Sequence, residues 1–261
     1  MIKIVATDMD GTLLNDRKEL PERFDNVVGK LFDRDVKFVI SSGRSYCALK
    51  AQFERYLDRM TFICDNGACV YDCGKQLFCS CLDSQTVSEC VDLCNENGYT
   101  LLLCGKNGTW HNSKTEAAEK EISKYYNNQI QTDRLDEVKD EIFKIAVFED
   151  GGIENDGYRK LERQFGSRCC VQLSGFYWVD IISKGVSKGS ALRLLQRRLE
   201  VSDKETMAFG DYLNDLDMLK CSHFSFAMEN AHETVKKAAR FITGSNNDDS
   251  VIKEICRYCK I

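Results

Sequence analysis

The sequence predicts an α/β fold in which a doubly wound parallel sheet carries an inserted α+β domain. Three observations predict it. Short β-rich runs alternate with helical patterns from the first residues, the alternation breaks off near residue 82, and it resumes near residue 184. Strand–helix–strand alternation of this kind makes right-handed crossovers and a parallel sheet covered by helices. The chain therefore divides into a discontinuous core, residues 1–82 and 184–261, and an insertion, residues 83–183.

The elements follow in order. Residues 2–7 are largely apolar and read as a buried strand. Pro21, the single proline, is placed as the opening residue of a helix over 21–34, where its fixed φ suits a first turn. A strand at 36–41, a helix at 46–57 and a strand at 61–64 complete the first half of the core. The insertion mixes a helix at 84–97, strands at 99–104 and 143–148 and a polar helical stretch at 115–126. Its turns are rich in Gly, Asn and Asp, notably EDGGIENDG at 149–157. The resumed core has a helix at 188–200 with Leu192, Leu195 and Leu199 on one face, a strand at 206–209, a short helix at 215–221 and a strand at 223–227. The sequence has no internal repeat and no low-complexity tract.

Composition excludes several classes of function. At 261 residues, with 43% apolar and 30% charged residues, the chain can build a core without staples. Its formal charge is −5, and its bases are scattered, so a nucleic-acid surface is not expected. The N-terminus lacks a signal-peptide pattern, and no apolar run approaches the roughly 18 residues that cross a bilayer. The expectation is a soluble cytoplasmic protein with no membrane partner and no obligate protein partner. Fourteen cysteines then read as reduced thiols. Cys64, Cys69, Cys73, Cys79 and Cys81 crowd one segment without the paired CxxC spacing of a zinc knuckle, and Cys256 and Cys259 form one CxxC on a helical pattern. Buried small hydrophobes are the expected role. His111, His223 and His232 lack ligand spacing.

The chemistry lies at strand ends. A carboxylate that follows a buried strand needs water, a cation or a reacting group, because an unpaired buried charge is costly. Asp8 and Asp10 follow the first strand; Ser42, Gly43 and Arg44 follow the strand at 36–41; Lys188 opens the helix after the insertion; Asp211, Asn214 and Asp215 follow the strand at 206–209. In a doubly wound sheet, ligands bind beyond the carboxyl ends of the strands where strand order reverses, so the fold brings these clusters together. Plainer readings compete. Asp8 and Asp10 could cap a turn, Asp215 could sit against a helix dipole, and Lys184 competes with Lys188 in SKGVSKG.

In this order, DMDGTLL (8–14), SSGRS (41–45), GVSKG (185–189) and GDYLNDLDML (210–219) resemble the four motifs of the haloacid dehalogenase-like (HAD) phosphatases. NGA at 66–68 and the tail AMENAHETVKKAARFITGSNNDDSV add to the likeness, and the large insertion resembles the class IIB cap of the Cof-type branch. Ser42 stands where the family usually has threonine, and Ser250 also departs from the family pattern. The resemblance implies a Rossmann-like core, a cap over the site and hydrolysis of small phosphomonoesters, such as sugar phosphates or phosphorylated cofactors.

The residue types fit that chemistry. Phosphate monoesters are dianions, so an anionic nucleophile needs cations beside it. Asp8, Asp10 and Asp211 offer hard oxygens suited to Mg²⁺: two carboxylates, from Asp8 and Asp211, and the Asp10 backbone carbonyl, with Asp215 behind them. Asp8 is the expected nucleophile, giving an aspartyl-phosphate, and Asp10 the acid/base. Gly11 and Thr12 shape the turn. Ser42 through its hydroxyl, Gly43 through its amide and Lys188 through its charge are expected at the phosphoryl group. The resemblance adds the backbone of Met9 and the side chain of Asn214, and Arg44 is placed to reach the substrate. Trp110, Tyr177 and Trp178 are conceivable cap contacts, although aromatics in such segments are more often core. A phosphotransferase or phosphomutase, and a phospho-receiver switch without turnover, are the alternatives.

Overall fold

Two sheets organise the chain in a computed structural model that describes every residue except Asn127 and Asn155. Asn155 belongs to the turn-rich 149–157 stretch, so that part of the expectation lies outside the described residues. The elements run β1 (Ile4–Thr7), α1 (Phe24–Phe32), β2 (Lys37–Ser41), α2 (Tyr46–Gln52), β3 (Thr61–Cys64), β4 (Cys69–Asp72) and β5 (Lys75–Cys79). Next come α3 (Ser84–Asn97), β6 (Thr100–Gly105), β7 (Thr109–His111), α4 (Glu116–Ile122), β8 (Gln129–Gln131), β9 (Ile142–Phe148), α5 (Asp156–Phe165), β10 (Cys169–Gly175) and β11 (Trp178–Ser183). The chain closes with α6 (Lys188–Leu199), β12 (Thr206–Gly210), α7 (Leu216–Lys220), β13 (Phe224–Ala227), α8 (Glu233–Ala238), β14 (Phe241–Ile242) and α9 (Ser250–Cys259).

The first sheet has the order β14-β13-β12-β1-β2-β3-β4-β5, parallel from β14 to β3 and antiparallel from β3 to β5. All four residues of β1 are buried, as a parallel strand covered on both faces requires. The chain leaves β1 toward β2 on one side and returns through β12 on the other, so the order reverses at β1. That crevice is where Asp8, Ser42 and Asp211 emerge.

The second sheet has the order β10-β11-β9-β6-β7-β8 and is antiparallel except for β7 beside β8. Alternation along β9 sends Ile145 and Val147 into one apolar cluster with α3 and α5, and Ala146 and Phe148 into another with Ile122 and Trp178. Phe143 and Ile182 leave both clusters and join the core of the first sheet. Burying a side chain the size of phenylalanine contributes on the order of 1.5–3 kcal/mol, so these contacts help dock the insertion on the core.

Several local expectations are corrected. Helix α1 begins at Phe24, and the Pro21 carbonyl accepts the Phe24 amide at 2.9 Å, so Pro21 starts a turn before the helix. The helix expected over 46–57 stops at Gln52 and continues as a 3₁₀ turn, Glu54–Tyr56. The polar stretch 115–126 is helical only over Glu116–Ile122, with the Thr115 side chain capping it. Hairpin β4–β5 lies outside the elements the sequence predicts. Cys73 and Gly74 between its strands have φ of 49° and 76°, the backbone of a type I′ turn, and a cysteine in the first position hides the usual Asn-Gly or Asp-Gly signal.

Candidate active site

Parallel pairing carries Asp8 past the end of β1, where its amide still donates to the Phe209 carbonyl of β12 at 3.0 Å. Lys188 is the first residue of α6, a helix opened by Ser187, whose hydroxyl accepts the Ser190 amide in a capping box. Its ammonium donates to Asp8 Oδ1 at 2.6 Å and to Asp215 Oδ1 at 2.7 Å, with the lysine side chain only 1% exposed. Asp215 Oδ2 accepts the amides of Asp211 and Tyr212 at 3.0 and 3.1 Å. Both oxygens of Asp215 are thus engaged, and its place is to hold Lys188 and the 211–212 backbone. It does not cap α7.

Asp211 accepts from the Thr12 hydroxyl at 2.8 Å. Gly11 has φ +81°, and a β-carbon there would stand 2.5 Å from Asp211 Oδ2, so this turn needs glycine to bring the two loops together. Asp8, Asp211 and Asp215 each present an oxygen, all within 4.8 Å of one another. Three carboxylates face one lysine. Burial pushes the Asp8 carboxyl up to about 7 against the pull of Lys188, and burial with the neighbouring Asp8 and Asp215 charges pushes Asp211 well above the usual carboxylate range. Burial alone would lower the Lys188 pKa, but Asp215 and Asp8 carry it above its ordinary value and keep it charged.

Asp10 stands beside this cluster under a different constraint. Arg44 grips it with two bonds, Nε to Oδ2 at 2.9 Å and Nη2 to Oδ1 at 2.8 Å, and Lys18 adds a third at 2.7 Å. Burial opposes ionisation, but the bonds and charges of Arg44 and Lys18 outweigh it and hold the carboxyl below its usual value. The Arg44 guanidinium, expected to reach a substrate, is occupied by Asp10 in this state.

The remaining predicted residues line up along the β2 and β12 loops. The Ser42 hydroxyl accepts the Arg44 amide at 3.1 Å, and its backbone amide donates to Ile63 at 2.9 Å. The side chain of Met9 is buried in the core, and its carbonyl accepts the amides of Thr12 and Leu14. Asn214 donates to Asn66 Oδ1 at 3.0 Å. Lys184 is remote from the site, its ammonium bonded to the Ser167 carbonyl. His232 caps α8, His223 meets Arg240, and buried His111 accepts the Ser113 amide; none enters the site.

A cavity of about 390 Å³ connects these groups to the second sheet. Asp8, Asp10, Ser42, Gly43, Arg44, Asp211 and Asn214 floor it, and Tyr125, Tyr126, Phe176, Tyr177, Trp178 and Lys144 close it from the insertion. Tyr177 and Trp178, named from sequence, line it; Trp110 packs in the insertion's own cluster. Sequence reasoning missed Lys18, Tyr125, Tyr126, Lys144, Phe176 and Asp180. Only Lys18 carried a signal, a cation eight residues after Asp10 in the loop that closes the DxD turn.

Residues 5–255 match the family profile of the haloacid dehalogenase-like hydrolases. The chain is 32% identical over 262 residues to the 5-amino-6-(5-phospho-D-ribitylamino)uracil phosphatase YbjI of Escherichia coli strain K12, which covers 99% of this chain and 97% of that one. It is 28% identical over 256 residues to the phosphatase YcsE of Bacillus subtilis strain 168, named for the same uracil derivative, with 97% and 94% covered. A crystal structure of a Streptococcus mutans UA159 protein, 28% identical, matches with a TM-score of 0.95 over 100% of both chains.

Proposed function

This chain belongs to the haloacid dehalogenase-like hydrolase family and is a phosphoric monoester hydrolase; from that premise, we propose that it is a Mg²⁺-dependent phosphatase of a phosphorylated cofactor precursor, working through an aspartyl-phosphate. The observation that carries this reading is the convergence of Asp8, Asp211, Asp215 and Lys188 under an aromatic-walled cavity. Residues 1–82 and 184–261 act as the catalytic core, and 83–183 as a cap that supplies substrate recognition. Among the described residues no helix is long and apolar enough to cross a membrane. We place the protein in the cytoplasm, where free phosphorylated metabolites are found.

The acidic cluster fits a hard divalent cation. Asp8 and Asp211 are pushed toward protonation by burial and mutual repulsion, and hard oxygens from three acids suit Mg²⁺. The carboxylates of Asp8 and Asp211 and the backbone carbonyl of Asp10 would hold it, and Asp215 would steady the 211–212 backbone and Lys188. When bound, Mg²⁺ neutralises charge on the phosphoryl oxygens.

In the first step Asp8 attacks phosphorus, the bond from phosphorus to the leaving oxygen breaks, and Asp10 gives that oxygen a proton. In the second, water attacks the phosphorus of the aspartyl-phosphate, Asp10 takes the proton from the water, and phosphate leaves with the Asp8 carboxylate regenerated. Ser42, Gly43, Lys188, Asn214 and the Met9 backbone hold the phosphoryl oxygens. Asp10 has to release Arg44 and Lys18 before it can carry a proton, and an incoming anionic substrate competes for both cations.

The relatives' names and the aromatic wall favour a heterocyclic leaving group. 5-Amino-6-(5-phospho-D-ribitylamino)uracil is the first substrate to test. Phosphate release from it is compared with release from a panel of sugar phosphates, with Mg²⁺ and with chelator. Turnover that needs Mg²⁺ and prefers the uracil derivative is expected; preference for sugar phosphates rejects the substrate class, and full activity in chelator rejects the metal.

A further inference from the structure

The NGA turn and two buried charges of the insertion have no part in the chemistry above. Lys144, in the middle of β9, is only 1% exposed, and Asp180, in the middle of β11, only 2%. The Lys144 ammonium donates to the Gly43 carbonyl at 2.5 Å and to the Tyr126 hydroxyl at 3.2 Å, with Asp180 at 3.6 Å and Asp65 at 3.8 Å. Asp180 accepts a hydrogen bond from the Asn66 side chain. Removing a lysine and two carboxylates from water is expensive, and apolar packing would hold the two sheets together more cheaply. What these charges touch is the backbone and the turn that shape the phosphoryl-binding loops.

The Gly43 carbonyl belongs to the same peptide as the Arg44 amide, which donates to Ser42 Oγ. Fixing that carbonyl fixes the peptide plane. The amide then fills an acceptor position of the Ser42 oxygen and leaves its hydroxyl proton for another partner. Asn66, held on one side by Asp180, accepts from Asn214 on the other. The turn between them is over-determined. Asp65 and Asn66 have φ of 48° and 56°, their amides donate to the carbonyls of Arg44 and Ser42 at 3.0 Å, and a β-carbon on Gly67 would stand 2.2 Å from the Ser187 carbonyl beside Lys188. Side chains from the insertion therefore brace both loops that carry phosphate ligands.

We propose that Lys144 and Asp180 are positioning residues: Lys144 orients Ser42 through the Gly43–Arg44 peptide, Asp180 orients Asn214 through Asn66, and the phosphoryl site is complete only with the cap docked. The inference rests on the phosphatase reading for its kinetic arm, and on geometry alone for its exchange arm.

The kinetic arm measures Mg²⁺-dependent hydrolysis of p-nitrophenyl phosphate. Lys144→Met and Asp180→Leu each lower kcat/KM by about 100-fold, as a small misplacement of ligands does. Because groups acting as one unit are not additive, Lys144→Met with Ser42→Ala loses about as much as Ser42→Ala alone, and Asp180→Leu pairs in the same way with Asn214→Ala. The crossed pair, Lys144→Met with Asn214→Ala, multiplies. A merely structural role multiplies in every pair, and that result overturns the proposal. The exchange arm needs no substrate: amide exchange over residues 42–45 rises about 10-fold in Lys144→Met while β1 stays protected, and unchanged exchange overturns it. If Lys144→Met leaves two acids unpaired and unfolds, Lys144→Met/Asp65→Asn/Asp180→Leu removes the whole charge group and escapes that penalty. This folded variant keeps the loss of activity and the faster exchange; wild-type values in it refute the idea.

Discussion

Core and cap both bury charge, but for opposite reasons. In the core, Asp8, Asp211, Asp215 and Lys188 lie just past strand ends or at a helix start, where a sheet of this type always opens a crevice. In the cap, Lys144 and Asp180 lie in the middle of strands, where a sheet offers no opening, and they become buried because the core covers that face. The first group is a property of one fold; the second exists only when two folded units meet. A charge at a strand end is a site in its own right, whereas a charge within a strand becomes one through what packs over it.

The largest expected effect attacks the core group. Asp8→Asn removes the proposed nucleophile and is expected to lower turnover by about 10⁴-fold or more, while the far-ultraviolet dichroism stays unchanged. Purified Asp8→Asn protein with appreciable Mg²⁺-dependent hydrolysis breaks the assignment. Lys188→Met comes next. It leaves Asp8 and Asp215 facing each other in a buried place without their cation, and breaking such a buried pair costs about 3–5 kcal/mol. Chemical denaturation measures that loss; a change of under about 1 kcal/mol means the pair is wetter than its burial implies.

Titration separates the two groups without mutation. Asp8 and Asp211 have folded-state pKa values raised above their unfolded ones, Asp8 to about 7, by burial first and then by neighbouring acids. Burial likewise raises Asp65 to about 6 against Lys144, and raises Asp180. A raised acid contributes stability that is complete below the unfolded value and lost as pH rises through the folded one. Protein without metal therefore loses stability from these groups between about pH 4 and 7. On the proposed reading Mg²⁺ would bind ionised Asp8 and Asp211, so at 100 times its dissociation constant it is expected to restore about 2.7 kcal/mol at pH 8 and less at pH 5. The part owed to Asp65 and Asp180 persists with Mg²⁺ present. Melting curves across pH, with and without Mg²⁺, check both statements; a Mg²⁺ effect equal at pH 5 and pH 8 contradicts the first.

That contrast also explains what could be read from the sequence. The strands 61–64 and the helix 84–97 appear with the expected bounds because apolar runs and the Asp83 cap mark them locally. Asp8, Asp10, Ser42, Gly43, Arg44, Asp211 and Asn214 line the crevice, and Lys188 and Asp215 stand behind Asp8, since four dispersed motifs had to meet at one set of strand ends. The insertion hid more. In FKIAVF, Lys144 alternates with Phe143 and Ile145 as a solvent-facing residue would, and nothing within the strand tells that its outer face meets Gly43. Asp180 in WVDIIS is hidden in the same way. Helix α5 carries little signal in the sequence because Leu161 and Phe165 are its main apolar anchors, in a stretch that opens on turn residues.

The smallest expected effect belongs to the cap's aromatic wall and sharpens the comparison most. Phe176 and Tyr177 sit at the turn of hairpin β10–β11, 52% and 39% exposed, with their rings edge to face at 4.9 Å. Apolar surface left open at a cavity mouth is idle in structural terms, and a flat ring laid on it gains on the order of 0.5–1.5 kcal/mol beyond area burial. Tyr177→Ala is therefore expected to raise KM for the ribitylaminouracil phosphate by about 3- to 10-fold with kcat nearly unchanged. KM for a simple alkyl phosphate, which reaches only the core groups, stays where it was. Equal changes for both substrates would mean that the hairpin acts by holding the cap closed, because a ring contact can discriminate only between leaving groups that have something to stack.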